Sequence, residues 1–314
     1  MGAEQGLIFD RQLPPDHRSG FVTLAGKPNV GKSTLLNAWL GFRLVAVSPK
    51  PQTTRNRLLG ILTRDDAQII FVDTPGIHLP RNKLGEYMVT AAKRAIPDAD
   101  VVVFVVDMSR SLNRADREIA RLLANTEGTP ILLAMNKIDL VCSDEARARR
   151  AAFEELMSFD ESVCVSALTG FNRDDLLDLV ISRLPFGPRY YPEDQLTDQP
   201  ERFVASELIR EQVLRLLEKE VPHAVAVVVE EFKERPNGTI YISATIYTEK
   251  TSQKGIVIGR QGRMLKRIGR DARIVLEQFL GHKVYLELWV KVRKNWRRDE
   301  RYLRQLGYTP FPGN

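Results

Sequence analysis

The sequence predicts an α/β fold with a mostly parallel sheet flanked by helices, followed by a smaller α+β unit. In the first half, short β-branched runs alternate with helical stretches. Strands that are apolar on both faces indicate a parallel sheet covered on both sides. In the second half the predicted order becomes helix, strand, strand, helix, helix, strand. This change of order predicts two domains.

The predicted strands of the first half are GFVTLAG, AQIIFVDTPG, DVVVFVVD, TPILLAMNKID and ESVCVSA. Helical periodicity marks the segments between them, such as KSTLLNAWL, RADREIARLLANT and NRDDLLDLVISRL. The stretch LPFGPRYYPEDQLTDQPER carries four prolines and no apolar period, which is typical of a linker. We therefore predict these units: an N-terminal extension (1–19), a first domain (20–184), a linker (185–200), a second domain (201–292) and a basic C-terminal tail (293–314).

Bulk properties indicate a protein of the cytoplasm. The longest apolar stretch, DVVVFVVDM, is far shorter than the roughly 18 residues that span a bilayer. The first residues lack the basic start and apolar core of a signal peptide. Two cysteines among 314 residues suit a reducing compartment, and the four histidines have no second ligand at metal spacing.

Positive charge is concentrated in the second half of the chain. Residues 1–200 carry 24 Lys and Arg against 26 Asp and Glu, whereas residues 201–314 carry 22 against 14. From residue 250 onward the ratio is 16 to 5, a density that suits a polyanionic partner. A solvated basic face is the alternative on charge alone.

The segment GKPNVGKSTLLNAWL lies between a predicted strand and a helix, the context in which this glycine pattern cradles phosphates. Glycines let backbone N–H groups converge on phosphate oxygens, and the helix N-terminus adds positive potential. Lys32 can reach the β- and γ-phosphates, and the Ser33 hydroxyl can bind Mg²⁺. The loop residues predicted to contact a nucleotide are Gly26, Asn29, Val30, Gly31, Lys32, Ser33 and Thr34.

A second motif, FVDTPG, ends another apolar strand. Asp73 can hold Mg²⁺ through a water, and the Gly76 N–H can sense a γ-phosphate and couple its loss to loop movement. A simple capping role for Asp73 is the alternative.

Two further motifs predict that the base is guanine. Asp139 of MNKID can accept hydrogen bonds from guanine N1–H and its exocyclic amine, which adenine cannot donate. Such bonds to a carboxylate are worth roughly 1.5 to 3 kcal/mol each. Asn136 would tie its strand to the phosphate loop, and Lys137 would lie along the base. In VSALTG the residues predicted to meet guanine O6 are Ser166, Ala167 and Leu168.

These elements, in this order, resemble the translation-factor-type GTPases, and KPNVGKST and PQTTRNR resemble the Era subfamily most. VIGRQG followed by RMLKRIG is similar to the GxxG loop of a type II KH domain. The resemblance runs from Gly20 over nearly the whole chain. It implies a P-loop GTPase domain (20–184) and a KH RNA-binding domain (201–292). It also implies the 3′ region of small-subunit ribosomal RNA and the 30S subunit as partners, with no stable protein partner evident.

The segment PQTTRNR, Pro51 to Arg57, is called the switch segment below. Thr54, or its neighbour Thr53, would complete the Mg²⁺ shell while a γ-phosphate is present. The predicted metal ligands are thus Ser33, Thr54 and Asp73, and the predicted catalytic residues are Lys32, Thr54, Gly76 and Asn29.

Many GTPases place a glutamine after this glycine to orient the attacking water, but here Ile77 follows Gly76. We therefore expect slow intrinsic hydrolysis. Asn29 resembles the asparagine that binds K⁺ in potassium-dependent relatives, so K⁺ is a candidate cofactor beside GTP/GDP and Mg²⁺. A plain loop hydrogen bond is the alternative for Asn29.

The basic domain is predicted to clamp about four single-stranded nucleotides at its GxxG loop. The residues assigned to RNA are Ile258, Gly259, Arg260, Gln261, Gly262, Arg263, Lys266, Arg267 and Arg270. An adjacent apolar groove is expected to include Ile256, Ile258 and Ile268. Helical spacing also predicts a core face made of Leu265, Ile268, Ala272, Val275, Leu276 and Phe279. A helix-turn-helix corner is the alternative for GxxG. The tail could extend the RNA path, lie on an anionic membrane surface or be a solvated helix end. The rival functions are a GTP-dependent membrane or protein adaptor on the cytoplasmic face of the membrane, and an ATPase.

Overall fold

The computed structural model describes residues 13–80 and 82–308. The predicted N-terminal extension lies mostly outside the described residues. So does the end of the predicted C-terminal tail.

The first domain is built on one six-stranded sheet. Its strands are β1 (Arg18–Ala25), β2 (Leu58–Thr63), β3 (Ala67–Asp73), β4 (Val101–Asp107), β5 (Ile131–Asn136) and β6 (Glu161–Cys164). They lie in the order β2-β3-β1-β4-β5-β6, with β2 antiparallel to β3 and every other pair parallel. The mostly parallel sheet predicted from the apolar runs is confirmed.

Helices cover this sheet on both faces, and they are α1 (Lys32–Leu40), α2 (Lys83–Arg94), α3 (Arg114–Leu123), α4 (Ser143–Glu154) and α5 (Arg173–Arg183). Every residue of β4 is buried. Val103 joins the core beneath α1 and α5, and its neighbour Phe104 joins the core beneath α3 and α4. Because side chains alternate along a strand, a strand buried on both faces must be apolar throughout.

Three elements of this domain escaped sequence analysis. β2 is a short antiparallel edge strand, and α2 follows an irregular stretch. α4 buries only Phe153 among its twelve residues, so it has no apolar stripe to detect.

The predicted linker is packed along the edge of the first domain. Ile61 N donates to Leu196 O at 2.9 Å, and Thr197 Oγ1 donates to Leu59 O at 2.6 Å. These bonds satisfy backbone groups of the edge strand β2.

The second domain has the predicted order of elements. They are α6 (Glu201–Leu216), β7 (Ala226–Glu234), β8 (Ile240–Thr248), α7 (Thr251–Ile258), α8 (Arg263–Leu280) and β9 (Val284–Val292). β8 lies in the middle of the sheet, antiparallel to β7 and parallel to β9. The α6 residue Leu208 packs with Ala272 and Leu276 of α8 in the core of this domain.

The described part of the predicted tail is folded. Trp296 is fully buried and its indole Nε1 donates to Ala224 O at 3.0 Å. The final helix α9 (Glu300–Gln305) follows, and Leu303 packs with Leu84 and Met88 of α2. Of the alternatives left open for the tail, a place on an RNA path or a membrane surface does not hold for Trp296, because its apolar surface fills the junction between the domains.

Candidate nucleotide site and nucleic-acid groove

The phosphate loop connects β1 to α1. Gly31 has φ +105°, and a Cβ at this position would lie 2.1 Å from Asn136 Nδ2, so only glycine fits. The buried ammonium of Lys32 donates to Gly26 O at 3.1 Å and to Lys27 O at 3.0 Å. Burial lowers the pKa of Lys32 to about 8, although the negative charge of Asp73 opposes the shift. A phosphate group would replace this lost hydration and favour the charged lysine.

Three oxygen-bearing side chains converge at the start of α1. Asp73 Oδ2 accepts from Ser33 Oγ at 3.0 Å and from Thr54 Oγ1 at 3.2 Å, and the two hydroxyls are 2.9 Å apart. Asp73 Oδ1 is buried without a partner, and burial raises the pKa of this carboxyl. A divalent cation would satisfy that oxygen, and Mg²⁺ prefers hard oxygen ligands with few carboxylates. The predicted metal ligands therefore fit Mg²⁺.

The geometry favours Thr54 over Thr53 as the Mg²⁺ ligand. Thr53 is buried and its hydroxyl donates to Lys50 O at 2.6 Å, so it is engaged inside its own loop. Among the residues that the structure describes, no group of three His, Cys, Asp or Glu side chains could hold a metal ion.

Asn136 connects the phosphate loop to the base-binding loops. Its Nδ2 donates to Val30 O at 2.8 Å, and its Oδ1 accepts from Ala167 N at 2.9 Å. Lys137 has a left-handed backbone, and its Nζ donates to Asn29 O and to Asp107 Oδ2, each at 2.7 Å. The role predicted for Asn136 thus agrees with its contacts, and Asp107 is an additional residue that the sequence analysis did not select.

The predicted base-binding residues lie at the same edge of the sheet. Asp139 is exposed in a short turn after β5. After β6, Ser166 Oγ accepts from Thr169 N at 3.1 Å, which closes the loop that presents Ala167 and Leu168. Leu168 is 81% exposed. The carboxyl ends of parallel strands are the usual place for a nucleotide in such sheets.

The phosphate loop and the switch segment enclose a cavity of about 360 Å³. Asn29 has φ 65°, and its Nδ2 donates to Pro49 O at 2.7 Å, which joins the two loops. Gly76 also lines the cavity, and the following Ile77 N donates to Gly26 O at 3.1 Å. The predicted catalytic residues therefore surround one cavity.

The switch segment is also held by the second domain, which sequence analysis missed. Arg55 is fully buried, and its guanidinium donates to Val225 O at 2.7 Å, His223 O at 3.2 Å and Tyr308 Oη at 3.2 Å. Arg210 of α6 donates to Thr53 O. An arginine directly after the candidate metal ligand was a visible signal, but its partners lie about 150 to 250 residues further along the chain.

In the second domain, the loop Gly259 to Gly262 joins α7 to α8. Gly259 has φ +71°, and a Cβ there would lie 2.7 Å from Met264 Cβ, so the two helices meet too closely for any other residue. Gln261 has φ 52° and, like Arg260, is exposed. Ile258 is partly buried against the core at the end of α7.

A groove of about 520 Å³ lies between α8 and β9, next to this loop. Its apolar lining includes Leu265, Leu286 and Leu288. Ile268 was expected both in the groove and on the core face of its helix, and the structure supports the core position, because Ile268 is fully buried on the inner face of α8. Ile256, on α7, is 50% exposed but does not line this groove.

Cationic side chains surround the groove, and all of those predicted for RNA binding are exposed: Arg260, Arg263, Lys266, Arg267 and Arg270. Within the described ranges, the first three have no acidic partner, whereas Arg267 and Arg270 lie near Asp271. Unpaired cations beside an apolar groove can hold a sugar-phosphate chain while the bases enter the groove.

Within residues 13–80 and 82–308, no helix has the length and apolarity required to traverse a bilayer.

Comparison with known proteins agrees with this geometry. A family model described as a 50S ribosome-binding GTPase matches residues 21–137, and a KH domain model matches residues 220–297. Two solved structures are each 40% identical and cover 93% of this chain and 99% of their own, with a TM-score of 0.89.

One of these structures is Era in complex with MgGDPNP and nucleotides 1506–1542 of 16S ribosomal RNA. The other is an Aquifex aeolicus Era variant bound to GDP·AlF4⁻. Both domains match in kind and in order. The chain therefore belongs to the Era family of GTPases, with a P-loop GTPase domain followed by a KH domain.

Proposed function

We propose that this protein is a GTP-hydrolysing molecular switch of the cytoplasm that binds single-stranded ribosomal RNA. The RNA is the 3′ region of small-subunit rRNA, and the role is assembly of the 30S subunit. A relative that is 40% identical has been solved with MgGDPNP and nucleotides 1506–1542 of 16S rRNA. GTP and GDP with Mg²⁺ are the ligands of the first domain, and RNA is the ligand of the second.

The observation that carries this proposal is the double attachment of the switch segment. Thr54 contacts Ser33 and Asp73 in the nucleotide site. The residues on either side of it, Thr53 and Arg55, are bonded to the KH domain. A change at Thr54 when the γ-phosphate leaves would therefore act directly on the second domain.

The residues of the site divide the chemistry between them. Lys32 and the loop N–H groups hold the phosphates, while Ser33, Thr54 and Asp73 would hold Mg²⁺, which neutralises charge on the phosphate oxygens when bound. Asp139 selects guanine, with Asn136, Lys137 and the Ser166 to Leu168 loop completing the base site. Gly76 meets the γ-phosphate.

The experiment that tests the RNA assignment uses the double variant Gly259→Asp and Gly262→Asp with a single-stranded oligonucleotide of the 16S rRNA 3′ end. A side chain at Gly259 would push α7 and α8 apart, and two carboxylates in the loop would repel the phosphates, so filter binding should fall by about tenfold or more. GTP hydrolysis without RNA should be unchanged. Equal RNA affinity in the variant and the parent protein would refute the assignment of the groove.

We further propose K⁺ as a second cation, with Asn29 as a ligand. The Nδ2 of Asn29 is already bonded to Pro49 O, so its Oδ1 and the carbonyls of the switch loop are the oxygens that remain for a cation. Hydrolysis should be faster in KCl than in NaCl at equal ionic strength, and Asn29→Asp should alter that ratio. Equal hydrolysis rates in the two salts would contradict the K⁺ site, and the role of Asn29 would then be its hydrogen bond to Pro49 O.

The adaptor alternative has less support. The described part of the C-terminal segment is packed against α2 through buried apolar side chains, which leaves fewer apolar groups for a membrane. Sedimentation with vesicles that contain anionic lipid, with and without GTP, tests it. Binding to vesicles that survives in the double glycine variant would revive this alternative.

A further inference from the structure

The residue that many GTPases use to orient the attacking water is replaced here by Ile77. Its side chain is partly buried against the apolar core beneath α3 and α4. An aliphatic group cannot accept a hydrogen bond from water. Another polar group at this cavity must therefore orient the water, and it must lie near Gly76, where the γ-phosphate is bound.

Most polar side chains around the cavity already have partners. Asn29 Nδ2 is bonded to Pro49 O, Lys137 is paired with Asp107, and Ser48 Oγ accepts from Lys50 N at 3.1 Å. The side chains of Ser33, Thr53 and Thr54 are engaged as described above, and Lys32 serves the phosphates. Two neutral amides line the cavity, Asn29 and Gln52, and of these two it is Gln52 whose side chain is linked through His78 to Gly76 O.

Gln52 is held in position by a histidine. Its Nε2 lies 3.2 Å from His78 Nε2, and His78 Nδ1 lies 2.9 Å from Gly76 O. Because a carbonyl oxygen can only accept, His78 Nδ1 carries the proton and its Nε2 accepts from the Gln52 amide. Gln52 also has φ 64°, a conformation that non-glycine residues adopt rarely. The side chain of His78 thus links Gln52 to the backbone of Gly76.

This arrangement decides which atom is available for water. The Gln52 amide nitrogen is used by His78, and the Gln52 Oε1 atom has no partner in the part of the chain that the structure describes. The lone pair of His78 Nε2 is already occupied, so His78 is not placed to accept from water itself. Gln52 lines the cavity, and its oxygen is the acceptor of this pair that is left for a water.

We propose that Gln52 is the residue that orients the attacking water, and that His78 is a positioning residue acting through it. This inference rests on the proposed GTPase function. The water donates a hydrogen bond to Gln52 Oε1 while its oxygen forms a bond to the γ-phosphorus. The bond from that phosphorus to the β–γ bridging oxygen breaks, GDP leaves with the electron pair, and the water proton passes to phosphate and solvent.

The test compares Gln52→Ala with the parent protein, and with Gln199→Ala on the linker as a matched control, in KCl and Mg²⁺. Q52A should lower kcat about tenfold or more while KM and GDP affinity change less than about twofold. A second measurement is independent of turnover. Aluminium fluoride should tighten the binding of fluorescent GDP to the parent protein and to Q199A, but not to Q52A, because the mimic needs the same positioned water.

Two variants of the histidine separate positioning from mere structure. His78→Phe keeps a ring but has no acceptor, so it should reproduce the kcat defect of Q52A. His78→Gln restores an acceptor and should recover most of the rate. Wild-type kcat in Q52A, or equal losses of kcat and GDP affinity, would overturn the proposal. Failure of the parent protein to hydrolyse GTP at all would instead refute the GTPase function.

Discussion

The nucleotide site and the RNA groove of this protein are built in opposite ways. In the nucleotide site, polar side chains are bonded to one another around a buried carboxylate, as in the Ser33, Thr54 and Asp73 cluster. At the groove, Arg263 and Lys266 are exposed and unpaired within the described residues. The first arrangement suits one rigid ligand of fixed geometry. The second suits a flexible polyanion whose affinity comes from charge and stacking.

The two regions meet at the switch segment. Arg55 carries a buried positive charge into the second domain, and burial lowers its pKa. Its bonds to two backbone carbonyls offset part of the cost of removing that charge from water. The switch segment is therefore bonded to the KH domain on one side and to Asp73, a candidate Mg²⁺ ligand, on the other.

The largest effect is expected from breaking base recognition with Asp139→Asn. The variant loses the carboxylate that we propose accepts two hydrogen bonds from guanine, so GTP affinity should fall on the order of a hundredfold to ten-thousandfold. Titration calorimetry with GTP, ATP and XTP measures this. Affinity for XTP, which carries an oxygen in place of the guanine amine, should rise. A retained preference for GTP over ATP and XTP would show that Asp139 does not select the base.

The next effect is expected at the junction, with Arg55→Ala. This change leaves Val225 O and His223 O without their donor and creates a cavity beside Trp296, so stability should fall by about 2 to 4 kcal/mol. Urea unfolding followed by Trp fluorescence measures the loss. Arg57→Ala, two residues further along the same segment, is the matched control. An unchanged midpoint would mean that the contacts of Arg55 contribute nothing to the junction.

A smaller effect is expected at the phosphate loop, where the affinity for GDP should depend on pH through Lys32. The pKa of Lys32 is about 8 in the free protein, and the phosphates of GDP should raise it in the complex. Below pH 8, Lys32 is protonated in both the free protein and the GDP complex, so the affinity for GDP should be constant. Above pH 8 binding must take up a proton, so affinity should weaken about tenfold between pH 7 and 9.

Fluorescent GDP titrations at each pH check this expectation. Lys32→Arg is the control, because a guanidinium stays charged throughout this range and its profile should be flat. A flat profile for the parent protein would show that Lys32 remains fully charged when free.

The smallest effect is expected for one cation of the groove. Lys266→Ala should weaken RNA binding a few-fold and lower the slope of log K against log salt by about 0.7. Arg117→Ala, an exposed cation on α3, should change neither quantity. If the two variants behaved alike, the α8 cations would have no special contact with RNA.

Much of the nucleotide site could be predicted because each motif is short and local. The glycines and lysine of the phosphate loop, Asp73 and Asn136 each follow directly after a strand. Parallel strands bring their carboxyl ends to one edge of the sheet. The alternation of strands and helices along the chain was therefore enough to predict that these motifs meet. The groove was harder to predict. Ile268 has both the hydrophobicity expected of a groove residue and the helical spacing of a core residue, and the packing of α8 against the sheet decides for the core.

By itself the sequence determined the order of the two domains, the phosphate, magnesium and base motifs, and the concentration of positive charge around GxxG. These properties depend on strand alternation, on residue type at fixed spacing, and on net charge. Only the tertiary structure decided that Thr54 rather than Thr53 meets Asp73, that Arg55 and Arg210 join the domains, and that His78 holds Gln52. Each of these contacts joins side chains that no local periodicity relates, so it exists only after the sheet and the second domain have packed together.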